Sequence, residues 1–112
     1  MNKYTKLSDL EINKKVAVAL GLISEVTHYG VVAKSNNKDY WFEFDPCNNP
    51  QDAMPIIKDN LISIAHDGIA WDVSCAKYPE LSVWNGLENY NDNFYRKAME
   101  LFLLIKDAES NR

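Results

Sequence analysis

The first apolar residues of the chain recur at helical spacing. Ser8 and Glu11 stand three residues apart just ahead of this repeat, in the pattern of a capping box. The opposite face carries Asn13 and the lysines at positions 14 and 15, and Gly21 favours a helix C-terminus. The pattern therefore predicts an amphipathic helix that begins at Ser8 and ends near Gly21. Its apolar face consists of Ile12, Val16, Ala19, Leu20 and Ile23.

An alternating pattern next predicts a β-hairpin. Its turn is Asn36 and Asn37, because asparagine tolerates the positive φ angles of a two-residue turn. Pairing outwards from this turn brings Lys34 opposite Asp39, Ala33 opposite Tyr40, Val31 opposite Phe42, and Tyr29 opposite Phe44. The other face holds His28, Gly30, Val32, Trp41 and Glu43. We expect a helix or a partner to cover the tryptophan ring on that face.

A second hairpin is predicted further along the chain, at the strong turn signal Asp67-Gly68. A two-residue turn there pairs Ile64 with Trp71, and Ile62 with Val73. These pairs form an apolar face, so we expect one side of this hairpin to join the core.

Between the hairpins, the sequence marks the start of a second helix. Asn49 is a favourable N-cap, and Pro50 suits the first helical position. Pro55 lacks the amide that a helix interior needs, so we expect a short or kinked helix that ends near Asn60.

A long loop and a final helix complete the predicted elements. Residues 76–92 are polar and aromatic without a clear period, which predicts the loop. The helix is predicted from about Asn93 to Ala108, and residues 101–105 within it are all apolar. Such a run leaves little solvent face, so either loop residues cover it or a second copy of the chain does. The loop candidates are Tyr78, Leu81, Trp84 and Leu87, and the homodimer candidates, which we favour, are Leu103 and Leu104.

The predicted order α-β-β-α-β-β-α is an α+β fold, with two antiparallel hairpins forming a sheet packed by helices in a single domain over residues 1–112. The net charge of −4, from 12 basic and 16 acidic residues, disfavours nucleic acid as a partner. The longest apolar run, residues 16–23, is too short to span a membrane, and no signal segment precedes it. We therefore expect a cytoplasmic protein with no membrane partner.

Short polar side chains cluster between the first hairpin and the second helix. Asp45, Asn48, Asn49 and Asp52 fall within eight positions. Such residues satisfy backbone amides in turns and caps, and we favour this structural interpretation. The alternative is a ligand site, in which the loop amides and the helix N-terminus receive a small anion with Arg96 as its counter-charge.

Cys47 lies just ahead of the same helix, where the helix dipole favours a thiolate. A catalytic role would need a base such as His28 or His66, but no cysteine-hydrolase motif surrounds Cys47, and we interpret it as a structural thiol. Cys75 is interpreted as a second free thiol, because two cysteines are too few for a secreted disulfide scaffold. Paired Cys-x-x-Cys or His-x-x-x-His spacing does not occur, so the sequence predicts no metal site and no cofactor.

The segment DPCNNPQDAMPII, residues 45–57, resembles the signature of the NinX-like family, small proteins encoded by tailed phages and prophages of enteric bacteria. Weaker similarity covers LSDLEINK at 7–14, VAVALG at 16–21 and NFYRKAM at 93–99. Met54 stands where the family pattern has tryptophan, and Phe94 where it has proline, so no role of that tryptophan is carried over. The resemblance implies a phage or prophage origin and a host-cytoplasm setting, but no mechanism, because the family has no established activity.

These observations together predict a non-enzymatic phage accessory protein that binds a host or phage protein. Trp84, in the long loop, is the candidate aromatic anchor for that interface. The alternative is a small-anion or metabolite binder, or a minor enzyme, that uses Asp45, Cys47, Asn48, Asn49, Asp52 and Arg96.

Overall fold

The computed structural model describes residues 2–83 and 93–111, so Trp84 and Leu87 lie outside the described residues. The helices are α1 (Asp9–Ala19), α2 (Pro50–Asp59) and α3 (Phe94–Ser110). The strands are β1 (Ile23–Thr27), β2 (Gly30–Lys34), β3 (Phe42–Glu43), β4 (Ile62–His66), β5 (Trp71–Cys75) and β6 (Ser82–Val83). The predicted α+β class is confirmed. The described residues form two three-stranded antiparallel sheets, rather than the one sheet that was expected.

Both ends of α1 follow from local chemistry. The Ser8 hydroxyl accepts a hydrogen bond from the Glu11 amide at 3.1 Å, and the Glu11 carboxylate accepts from the Ser8 amide at 3.1 Å, which confirms the predicted capping box. At the other end, Gly21 adopts a φ of 78°, and the amides of Gly21 and Leu22 bond back to carbonyls of the last turn. This is a Schellman motif, and it ends the helix near Gly21, as the sequence predicted.

The face that α1 buries differs from the predicted one. Its buried residues are Ile12, Asn13, Val16 and Ala17, whereas Leu20 is exposed. The placement of Asn13 on the solvent face is therefore wrong. Asn13 is buried because both ends of its side-chain amide find hydrogen-bond partners inside the protein, as described below.

The first sheet has the strand order β1-β2-β3. Asn36 and Asn37 form the expected turn, in which the Lys38 amide donates to the Ser35 carbonyl at 3.2 Å. The predicted register is wrong by two residues, because the strands separate beside the turn and Ala33 pairs with Phe42. A shift of two leaves every side chain on its predicted face, because side chains alternate along a strand. The prediction also missed β1, which pairs with β2.

The second sheet has the order β4-β5-β6 and shows the same two-residue shift. Ile64 pairs with Val73, not with Trp71. The reason is the Asp67 carboxylate, which accepts hydrogen bonds from the amides of Ile69 and Ala70 at 2.8 and 2.9 Å and so makes a longer turn. The predicted long loop is wrong in part, because β6 within it pairs with β5, and the loop candidate Tyr78 is buried.

The third helix lies at the centre of the molecule. It begins after its N-cap, Asn93, close to the predicted start, and contacts α1, α2 and all three strands of the second sheet. Its buried residues are Lys97, Ala98, Met99, Glu100, Leu101, Phe102, Leu103 and Ile105. The remaining helix, α2, begins at the predicted cap Asn49 and ends before Asn60 as expected.

Candidate functional site

The polar cluster at residues 45–52 is held together by Asp45. Its carboxylate accepts hydrogen bonds from the side-chain amides of Asn13 at 2.7 Å and Asn48 at 3.2 Å. Its own amide donates to the Asp52 carboxylate at 2.9 Å. Its carbonyl accepts from the amides of Asn48 and Asn49 at 3.1 and 2.7 Å. The loop is therefore closed on itself, in the way that the structural interpretation requires.

Asn13 joins this loop to the first helix. Its side-chain NH₂ donates to Asp45, and its side-chain oxygen accepts from the Cys47 amide at 3.1 Å. One buried residue on α1 thus satisfies both a carboxylate and a backbone donor in the loop.

Asn93 joins the same loop to the third helix. Its side-chain NH₂ donates to the Cys47 carbonyl at 2.7 Å and to the Asn48 side-chain oxygen at 3.0 Å, while its own oxygen caps α3 by accepting from the Tyr95 amide at 3.0 Å. Asn48 in turn donates to Asp9, at the start of α1, at 3.1 Å. The loop therefore sits between two helix N-termini and connects them.

Asn49 and Asp52 belong to the second helix. Asn49 caps α2, with its side-chain oxygen accepting from the Gln51 amide at 3.0 Å. Burial raises the pKa of Asp52, the nearby negative charge of Asp45 acts in the same direction, and the hydrogen bond from the Asp45 amide opposes both.

Arg96 uses all three of its guanidinium nitrogens inside the chain. Nε donates to Glu100 at 2.7 Å, and Nη1 donates to Asp9 at 2.6 Å. Nη2 donates to the carbonyl oxygens of Tyr4, Thr5 and Leu7 at 3.0, 3.5 and 2.7 Å. Arg96 therefore fastens the N-terminal segment and α1 to α3. Because its donors are engaged, the geometry does not favour the role of counter-charge for a bound anion.

Cys47 is fully buried, and its thiol points to the Asp9 carbonyl at 3.8 Å. Burial raises the pKa of the thiol, and the negative charge of Asp9 raises it further. The group is therefore a neutral thiol sealed from solvent, as the structural interpretation expects, and this environment does not favour a nucleophile. Cys75 is also free and buried.

A surface cleft of about 510 Å³ lies beside the 45–52 loop. Carboxylates of Asp9, Glu43 and Asp45 line it together with the side-chain amides of Asn13 and Asn48. Arg96 compensates the charge of Asp9, and the remaining carboxylates of Glu43 and Asp45 disfavour the small anion of the alternative interpretation. Arg96 is not among the residues that line this cleft.

The histidines and cysteines do not come together as ligands. Within residues 2–83 and 93–111, no three His, Cys, Asp or Glu side chains are placed to hold a metal ion. His66 instead supports the second hairpin, where its Nδ1 accepts from the Gly68 amide at 3.0 Å and its ring packs edge-on against Trp71.

Of the predicted interface residues, Leu103 is buried within the chain, Leu104 is partly exposed, and Trp84 lies outside the described residues. The homodimer was expected because the apolar run of α3 needed a cover, and the chain itself supplies most of that cover. Association through these leucines stays a prediction.

Sequence reasoning missed Asp9, Asn13 and Glu100 as members of the polar network. The signal for Asn13 is its place next to Ile12 and one helical turn before Val16 and Ala17, all of them buried. The distant pairings of Asp9 and Glu100 with Arg96 carry no local signal, because 87 positions separate Asp9 from Arg96.

Comparison with known proteins identifies a family to which the chain is similar. The family model described as Bacteriophage P22, NinX, matches residues 3–106, which include the whole polar network from Asp9 to Glu100. No curated protein is similar enough to the chain to count as a match. None of the helices in the described residues has the length and apolar character to cross a membrane.

Proposed function

The chain belongs to the bacteriophage P22 NinX family, and from this premise we propose that it is a non-enzymatic accessory protein that binds a host or phage protein in the host cytoplasm. The observation that carries the proposal is the outer face of the first sheet, which exposes large apolar side chains. Trp41 and Ile23 are each 41% exposed there.

The outer face is defined by the strand register. Lys34 pairs with Ile23, and Val32 pairs with both Glu25 and Glu43, so these five residues share a face. The Lys34 ammonium lies 5.3 Å from the centre of the Trp41 ring, which brings the tryptophan to this face as well.

No described helix covers this face. Among the described helices only α1 contacts the first sheet, and it packs on the opposite side, where Val31 and Ala33 are buried. The sequence led us to expect that a helix or a partner covers Trp41. Because the described helices do not, a partner protein is the cover that we propose.

The second sheet shows that such exposure is not required by the architecture. Its outer face carries Ser63, Ala65, Asp72, Ser74 and Ser82, which are small or polar. Large apolar side chains on a solvated face weaken solubility without adding to the core, whereas tryptophan at an interface contributes strongly to binding.

The non-enzymatic part of the proposal is supported by the loop at residues 45–52. Its carboxylates and amides bond to one another, and its thiol is buried and neutral. These groups account for the stability of the connection without any substrate.

The experiment is site-specific photo-crosslinking in phage-infected host cells. A photo-reactive phenylalanine analogue replaces Trp41 in one variant and Met54 in another. Met54 is the matched control because it is 46% exposed but lies on α2, away from the first sheet. We expect a discrete crosslinked protein from position 41 and none from position 54.

Absence of a product from position 41, or the same product from both positions, would contradict the proposed surface. The alternative function is tested in parallel by thermal unfolding with a panel of metabolites and anions. A compound that raises the Tm of the wild type but not of Asp45→Ala would instead support the ligand site at the loop.

A further inference from the structure

A groove of about 460 Å³ runs between α1 and α3, on a surface separate from the first sheet. Val18, Ala19 and Leu103 form its apolar floor, and the side chains of Lys14, Lys15 and Lys106 form its rim. We call this surface the α1–α3 groove. Val18 is 62% exposed, so a ligand in the groove would remove apolar surface from water.

The groove also contains two acidic residues, Glu11 and Asp107, but both already have partners. Glu11 accepts from the Ser8 amide and hydroxyl in the capping box. Asp107 accepts from the Tyr4 hydroxyl at 2.6 Å and pairs with Lys3 at 3.1 Å. Lys3 therefore compensates the charge of Asp107, whereas Glu11 keeps its negative charge and attracts Lys15 from one helical turn away.

The lysines of the rim are less compensated. Within residues 2–83 and 93–111, neither Lys14 nor Lys15 has a carboxylate within ion-pair distance, and both are exposed. Lys106 pairs only with Glu109, at 3.4 Å. A chain with a net charge of −4 thus places three lysines and two carboxylates around the apolar floor of this groove.

From this arrangement we propose that the α1–α3 groove binds an acidic amphipathic segment of a partner protein. The apolar side of the segment would lie on Val18, Ala19 and Leu103, and its carboxylates would pair with Lys14 and Lys15. A nucleic acid satisfies the lysines but not the apolar floor, and the acidic chain as a whole repels it. This inference concerns a different surface from the outer sheet face and stands without it.

The test uses two synthetic amphipathic peptides, each about four helical turns long, with the same leucine stripe. One carries glutamate on its polar face and the other carries lysine. Fluorescence anisotropy with the full chain at low salt should show binding of the glutamate peptide and at least about tenfold weaker binding of the lysine peptide. NMR shifts on addition of the glutamate peptide should map to α1 and α3.

Variants with unchanged folds assign the binding to the groove. Lys14→Glu with Lys15→Glu should weaken binding of the glutamate peptide about tenfold, because two attractive charges become repulsive. The matched control, Lys38→Glu with Lys58→Glu, changes the net charge equally at exposed positions outside the groove and should bind like the wild type. Val18→Asp should also weaken binding of the glutamate peptide, because it places a negative charge on the apolar floor of the groove.

Equal binding of both peptides, no binding of the glutamate peptide, or equal loss in the two double variants would overturn the proposal. Tighter binding of a single-stranded oligonucleotide than of the glutamate peptide would overturn it in favour of nucleic acid. Circular dichroism of each variant confirms that the fold is retained, since the substituted lysines are exposed.

Discussion

The polar network around residues 45–52 and the α1–α3 groove both draw on α1, yet they differ in one respect. In the network, Asn13, Asp45 and Arg96 bond to groups of the same chain. In the groove, neither Lys14 nor Lys15 has a carboxylate within ion-pair distance among the described residues, and Glu11 attracts Lys15 only from further away. The network contains the residue types of a catalytic or ligand site, but its capacity for bonding is used internally. The difference teaches that polar and charged side chains indicate a ligand site only when their donors and acceptors have no partners within the protein.

The strongest test of this contrast removes the centre of the network. Arg96→Ala deletes every guanidinium bond and leaves the carboxylate of Glu100 buried without its cation. We expect a loss of about 3–5 kcal/mol in the free energy of unfolding, as for a buried pair that loses one partner. Urea denaturation followed by circular dichroism measures it.

Arg96→Lys is the control for charge. It keeps a cation beside Glu100 but cannot reach Asp9 and the carbonyl oxygens of the N-terminal segment together. Its free energy of unfolding should therefore lie between those of the wild type and Arg96→Ala. An Arg96→Ala protein as stable as the wild type would show that these donors are free to serve a ligand, and the contrast with the groove would fail.

The next effect in size comes from Asn13. Asn13→Ala leaves the Cys47 amide without its acceptor and removes the shorter of the two hydrogen bonds to one oxygen of Asp45, and we expect a loss of about 1–3 kcal/mol in unfolding free energy. Asn48→Ala is the matched control, because Asn48 donates to the same carboxylate from an exposed position where water replaces it. Its loss should be smaller. Equal losses at the two sites would show that burial does not govern the network.

The smallest effect concerns the pH dependence of stability. Because burial raises the pKa of Asp52 in the folded state, the folded protein holds this proton more tightly than the unfolded chain does. The contribution of Asp52 to stability is therefore complete below its ordinary pKa and is lost as the pH rises through the raised one. Asp52→Asn removes this dependence and keeps an acceptor for the Asp45 amide.

Unfolding free energies of the wild type and Asp52→Asn, measured from about pH 3 to pH 7, test this directly. The difference, wild type minus variant, should fall as the pH rises. A difference that stays constant would show that Asp52 titrates in the folded protein as it does in the unfolded chain.

Local chemistry explains what the sequence could predict. The caps at Ser8 and Asn49 and the turn at Asn36-Asn37 depend on residues a few positions apart, and all of them are found. Strand faces were also predictable, because alternation survives a register shift of two residues. The register itself was not, since the turn length in the second hairpin depends on which amides the Asp67 carboxylate accepts.

The sequence could predict which residues belong to the candidate site, but it could not predict the hydrogen bonds that they make to distant residues. Asp45, Asn48, Asn49 and Asp52 are close in sequence, and their structural use was the favoured interpretation. Their bonds to Asn13 and Asn93 span 32 and 45 positions, respectively. Only the packing of α1 against α3 brings such distant residues together. The pattern of α1 could therefore place Asn13 beside the buried residues of the helix, but it could not identify the partners of its side chain.

The clasp that Arg96 makes on the carbonyl oxygens of Tyr4, Thr5 and Leu7 has a consequence for biosynthesis. A ribosome makes the N-terminal segment before α3, so at least 89 positions separate each of these carbonyl oxygens from the guanidinium that binds it. Until then α1 lacks the helix against which it packs. The native packing of α1 against α3 therefore waits until α3 has been made, and the apolar face of α1 lacks this cover in the meantime.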